Sequence, residues 1–160
     1  MTAAAIDPVR DSARGLTRLG RAWICLALAL AIHVVDEAMT GFLSVYNPTV
    51  QSLRARFGFW PMPTLEFGDW IGGQFAGVIV LLALSPVVFR GARWIRPIFY
   101  FLAVVVGLLN ALGHTLGTIF GQTVSTVHFA RPAPGFYSSP LLALAAVNAL
   151  VQLRRTRSKE

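Results

Sequence analysis

Hydrophobic residues fall into four blocks along the chain, separated by polar or basic punctuation. The first, Trp23-Ile24-Cys25-Leu26-Ala27-Leu28-Ala29-Leu30-Ala31-Ile32, is unbroken and continues past His33-Val34-Val35-Asp36-Glu37 to about residue 44. A run of that length predicts a membrane-crossing helix, because about 20 residues at 1.5 Å rise span the hydrocarbon. The second block covers about 67–89, with Gly73 and Gly77 as a small-xxx-small packing face and Pro86 as a kink or stop. The third covers about 95–120, long enough to require tilt. It places Gly107, Asn110, Ala111, His114, Thr118 and Gly121 on one small and polar stripe. The fourth, about 139–153, is short and ends in Arg154, Arg155, Arg157 and Lys159.

Two stretches between blocks read as loops. Residues 45–66 hold Pro48, Pro61 and Pro63 among Tyr46, Phe57, Phe59 and Trp60, a composition that suits an interfacial segment. Residues 122–137 hold His128 and Arg131-Pro132-Ala133-Pro134-Gly135. The expectation is an all-α integral membrane protein, a four-transmembrane-helix bundle. Residues 1–21 form a basic N-terminal segment (a short interfacial helix or a tail), 22–153 the transmembrane domain and 154–160 a basic tail.

Composition agrees: of 160 residues, 55% are hydrophobic and 13% charged, the balance of a membrane protein. The net charge of +7 does not point to nucleic acid, because the cations cluster beside apolar runs rather than among aromatics on a polar surface. Such flanks set orientation. Arg10, Arg14, Arg18 and Arg21 precede the first block, Arg90, Arg93 and Arg96 lie between the second and third, and four cations follow the fourth. Only Arg54, Arg56 and Arg131 fall on the opposite side, so the positive-inside rule predicts both termini in the cytoplasm of a bacterial inner membrane. Ala29-Leu30-Ala31 has the small-x-small form of a cleavage site, yet three further blocks follow, and the reading is a retained first span. Cys25 is the sole cysteine, which excludes an intrachain disulfide and a cysteine-based zinc site.

Within this apolar frame, His33, Asp36 and Glu37 stand out. Ionisable groups in hydrocarbon each cost at least a few kcal/mol and mark a functional site by default. Spacings of three and four put all three on one helix face. Counting helical rise from Arg21 places His33 roughly 18 Å and Glu37 roughly 24 Å across the bilayer. Counting from Arg96 places Asn110 roughly 21 Å and His114 roughly 27 Å across. The two sets overlap in depth, in the outer half of the membrane.

His33, Glu37 and His114 would make a two-histidine, one-carboxylate set suited to Zn, Fe or Mn. Without metal, the same groups can do general acid–base work. The bland alternative is hydrogen bonding between spans. Asp36 and Asn110 would orient the three or complete their shell. Gln74 near the same surface, and His128 and Arg131 in the loop above, are candidates for substrate contact, Arg131 through an anionic head group. The Gly113-xxx-Gly117-xxx-Gly121 ridge reads as helix packing, and the glycine faces allow an oligomer. Trp23, Trp70 and Trp94 read as interfacial anchors.

His33-Val34-Val35-Asp36-Glu37, the later His114 and the Pro134-Gly135 turn resemble the HXXEE family of small bacterial integral membrane proteins, defined by an HxxEE motif, a second histidine and a YxPG motif. Here Asp36 stands where Glu is usual, and Pro132-Ala133-Pro134-Gly135 matches YxPG only in its last two positions. The resemblance covers about 33–135; the family is functionally uncharacterised, with an enzymatic role suspected and no substrate named. The functional expectation is a membrane-embedded enzyme acting on a lipophilic small molecule by isomerisation, cyclisation, hydrolysis or oxidation. The rivals are a small transporter or ion carrier, and a non-catalytic subunit of a larger complex.

Overall fold

The computed structural model describes residues 8–157; residues 1–7 and 158–160, including Lys159, lie outside the described residues. Helix α1 (Pro8–Thr40) runs without a break, so the arginine-bearing segment continues directly into the span. Leu19 and Ala22, on its basic half, are already buried. The helix stops at Gly41, whose left-handed φ of 79° no side chain favours. The first span therefore ends at Thr40 rather than near residue 44.

Helix α2 (Phe42–Phe57) occupies most of the stretch expected to be a loop. Pro48 lies inside it on the exposed side, while Val45 and Val50 turn inward. Of the three prolines in this stretch, Pro61 and Pro63 fall outside the helix. The link to the next helix is held at Asn47, whose amide nitrogen donates to Leu65 O at 3.0 Å and whose amide oxygen accepts from Leu65 N at 2.9 Å.

Helices α3 (Phe67–Ala83) and α4 (Ser85–Phe89) form the second apolar stretch, and the third consists of α5 (Ile95–Phe101), a π-helical segment (Leu102–Leu109) and α6 (Asn110–Phe120). Two short antiparallel strands follow, β1 (Gln122–Val124) and β2 (Val127–His128), where an irregular loop was expected. Helix α7 (Ser139–Arg157) completes the chain. Three of these stretches, Ala13–Thr40, Phe67–Phe89 and Ile95–Phe120, are long and apolar enough to cross a membrane. Helix α7 falls short of that measure because Asn148, Gln152 and the terminal arginines dilute it.

Packing follows a simple rule of antiparallel neighbours. Ser138, before α7, bonds Asp36 near the end of α1, while Gly15 near its start lies against Thr156. Helices α3 and α4 likewise run antiparallel to α1. The Trp23 indole donates to Leu81 O at 2.6 Å, Gly20 abuts the Phe89 ring and Gly91 abuts Leu16. Trp23 is thus 2% exposed and edge-on to Phe99, a core residue rather than an interfacial anchor. Trp70 is also buried, stacked near Phe42, and only Trp94 stays exposed. The core joins Leu19, Trp23 and Leu26 to Ile95, Phe99 and Leu142. Gly107 lets the π segment approach Ala146 so closely that no Cβ would fit.

The other glycine faces do not pack as expected within the chain. Gly72, Gly73 and Gly77 on α3 meet nothing within 4 Å. Along α6, Gly113 faces open space, Gly117 lies under Phe129 and Ala133, and Gly121 ends the helix with φ 68°. A small-xxx-small spacing shows that one face is flat, not which way that face points.

Candidate functional site

Two i,i+4 pairs face each other across the bundle: His33 and Glu37 on α1, Asn110 and His114 on α6. The pairs meet because α1 and α6 approach the same end of the bundle, the end that carries α2 and the hairpin. His33 Nε2 lies 3.2 Å from His114 Nε2 and 3.0 Å from Asn110 Nδ2. Glu37 Oε1 lies 3.1 Å from His114 Nε2 and 3.5 Å from His33 Nε2. The imidazole rings meet edge to face with centroids 4.8 Å apart. Exposure of His33, Glu37 and His114 is 0%, 3% and 9%.

Behind His33 a second set of contacts fixes its ring. Ser138 Oγ sits 2.8 Å from His33 Nδ1 and donates to Asp36 Oδ2 at 2.8 Å. Since that hydroxyl proton goes to Asp36, the hydroxyl oxygen accepts from Nδ1–H, and the Nε2 lone pair accepts from Asn110 Nδ2–H beside His114 and Glu37. Asp36 accepts a further bond from Ser138 N at 2.8 Å. Asp36 therefore acts through Ser138 and does not join the cluster itself, although it shares a face with His33 and Glu37.

Gly135 closes the site from the loop before α7. Its φ is 79°, and a Cβ there would lie 2.9 Å from Glu37 Cγ and His114 Cε1 and 3.0 Å from His33 Cε1. No other residue type fits. Gly135 N donates to Thr40 Oγ1 at 3.0 Å, and Ser139 Oγ donates back to Gly135 O at 2.7 Å. Thr118, on the polar stripe of α6, accepts from Ala133 N at 2.9 Å and anchors the same loop.

The His33, Glu37 and His114 group can hold a metal ion. Tetrahedral zinc with bonds of about 2.0–2.1 Å requires ligand atoms about 3.3 Å apart. The three separations here, 3.2, 3.1 and 3.5 Å, bracket that value. Three protein ligands would leave a fourth position of a tetrahedral ion for another group. The hydrogen bond from His33 to Ser138 is the outer contact that metal-bound histidines usually have.

Beside His114 lies a cavity of about 230 Å³. Phe42 and Val45 of α2 form one wall, and Leu109, Gly113 and Gly117 of the third stretch form another. Thr123, Phe129, Ala133 and Pro134 close its end. Asn110 and His114 are its polar groups next to the cluster.

Of the residues singled out from sequence, His33, Glu37, Asn110 and His114 converge, with Asp36 one bond removed. The other candidates lie elsewhere. His128 is exposed on β2 and bonds Ser125 O at 3.1 Å, a contact within its own hairpin. Gln74 is half-buried on α3 and does not line the cavity. Arg131 is exposed with its guanidinium over Gly121, where it complements the C-terminal end of α6. Ser138 escaped sequence reasoning, and Gly135 entered it only as the end of the Pro-Gly turn in the family resemblance, without a place in the site. Their one signal is the Pro-Gly turn followed by Ser-Ser-Pro, which reads as an ordinary helix start. The chain matches no protein-family model, no curated protein and no solved structure.

Proposed function

We propose that this protein is a membrane-embedded enzyme acting on a lipophilic small molecule, with His33, Glu37 and His114 at its centre. The reading is carried by one observation: His114, which touches both His33 and Glu37, also lines a mainly apolar cavity. A metal bound by the three would supply Lewis acidity at the cavity wall. The chain's own residues do the rest. His33 is held with its Nε2 lone pair inward, His114 Nε2 and Glu37 Oε1 lie within hydrogen-bond reach at 3.1 Å, and Asn110 orients His33. Without metal, the set can hold or deliver a proton at Glu37 Oε1 or His114 Nε2, as isomerisation, cyclisation or hydrolysis each require. The HXXEE resemblance agrees with an enzyme and adds no substrate.

The four-span arrangement belongs to this proposal. Helix α7 lies antiparallel to α1 from Asp36 to Gly15, so it covers the same depth. With eleven cations at one end and three at the other, both termini are cytoplasmic and the cluster lies in the outer half of a bacterial inner membrane. A carrier would need a polar route onward from the cluster. Instead, Trp23, Leu26, Phe99 and Leu142 fill the bundle beneath it.

Metal analysis of detergent-purified protein, run beside thermal melts, tests the reading. Glu37→Gln keeps volume and hydrogen bonds but removes a buried charge, so with both proteins stripped of metal its melting midpoint is expected at or above wild type. Interhelical hydrogen bonds in membranes average only about 0.6 kcal/mol, too little to reverse that sign. Bound metal is expected to fall to background in Glu37→Gln, His33→Ala and His114→Ala alike, because the three act as a unit. Metal retained in all three would reject the site, and a stability collapse in a protein that never bound metal would make the cluster structural.

A further inference from the structure

We propose that the cavity beside His114 is a slot for the hydrocarbon part of an oxygen-bearing lipid of about nine carbons, which enters sideways from the bilayer past Gly113. The size follows by proportion. A dry cavity of about 150 Å³ takes benzene, with six carbons, and this one measures about 230 Å³. The polarity of the lining sets the orientation. Phe42, Val45, Leu109 and Phe129 offer only apolar surface and the Thr123 hydroxyl is engaged by Thr49, so the chain lies among them and the oxygen function reaches Asn110 and His114.

The glycines set the direction of entry. A Cβ on Gly117 would meet Ala133 Cβ at 3.3 Å and Phe129 Cζ at 3.4 Å, so the slot is shut at the hairpin end. A Cβ on Gly113 would meet nothing within 4 Å, and Gly113 and Leu109 are both exposed. Both lie inside the Ile95–Phe120 stretch, so the opening faces lipid rather than the aqueous surface. Gly113 is then the residue that sets which chains fit: any side chain there stands in the mouth. What happens to the oxygen end rests on the enzymatic reading above, while occupancy of the slot does not.

The test uses full-length protein in phosphatidylcholine vesicles and a nine-carbon primary alcohol with a mid-chain diazirine. After illumination, labelled residues are mapped by mass spectrometry. Insertion is expected at Leu109–Gly117 and at Phe42 and Val45. It should fall at least tenfold in Gly113→Leu and stay at the wild-type level in Gly72→Leu, a control on the open face of α3. Should Gly113→Leu fail to fold, Gly113→Ala and Gly113→Val carry the same comparison, with labelling decreasing as side-chain size increases. Labelling indifferent to the residue at 113, or confined to the exposed face of α3 in wild type, overturns the slot. Wild type that binds no metal yet labels in the slot would remove the metal from the enzymatic reading and leave the slot standing.

Discussion

A neutral imidazole offers its lone pair at one nitrogen only, and the partner of the other nitrogen decides which. For His33 that partner is Ser138, which hands its own proton to Asp36. Ser138→Ala removes the acceptor from a fully buried Nδ1–H, and an unsatisfied buried donor costs about 1–3 kcal/mol. It also frees the ring to turn its lone pair away from Glu37 and His114. The expected outcome is a lower melting midpoint together with metal affinity weakened about 10–100-fold, the usual scale for such outer contacts. Competition with a chromogenic chelator measures the affinity, and wild-type affinity in Ser138→Ala would show that Ser138 does not position His33. The residues of the cluster were legible because ionisable groups inside apolar runs are few and each carries a desolvation cost that needs a compensating partner. Ser138 was not legible, since it lies 105 positions from its partner in a sequence that reads as a plain helix start.

The elements divide along similar lines. Long apolar runs announced the second and third spans, whose observed limits, Phe67–Phe89 and Ile95–Phe120, agree with the pattern. Helix α2 was hidden because Pro48 argued against a helix, and a proline on the solvent side at one position is tolerated when neighbouring contacts hold the element. The π segment Leu102–Leu109 was hidden for the opposite reason: eight consecutive apolar residues carry no mark of wider winding. What keeps α2 in place is local. Asn47 bonds both backbone groups of Leu65, closing the α2–α3 connection. Asn47→Ala leaves a donor and an acceptor without this partner, and about 1–3 kcal/mol is at stake for each if water cannot replace it. Limited proteolysis is expected to cut the 58–66 connection faster in Asn47→Ala, with metal content unchanged because the cluster lies on other elements. Loss of metal in that variant would instead tie α2 to the cluster itself.

The molecule as a whole is asymmetric in polarity: one end of the bundle holds the cluster, the cavity and the hairpin, while the other holds an apolar core ringed by arginines. That asymmetry assigns an orientation only if α7 crosses the membrane, because a helix lying on the surface would put Arg154 and Arg155 beside the hairpin instead. The packing favours crossing, since α7 meets α1 at both Asp36 and Gly15 and buries Leu142, Ala146 and Ala149 between them. Accessibility of single cysteines in intact cells decides the matter, in a background where the exposed Cys25 is replaced by alanine. Gln51→Cys on α2 and Thr126→Cys on the hairpin are expected to react with a membrane-impermeant maleimide from outside. Arg93→Cys, in the turn between the second and third stretches, and Arg155→Cys, near the end of α7, should react only after permeabilisation. Protection at 93 with reaction from outside at 155 would mean three spans and an external C-terminus. Reaction of 93 from outside would invert the bundle, moving the cluster to the inner half and requiring any lipophilic substrate to arrive from the cytoplasmic leaflet. With 51 and 126 outside and 93 and 155 inside, the slot at Gly113 opens toward the outer leaflet, and the positive-inside count and the packing agree on one arrangement.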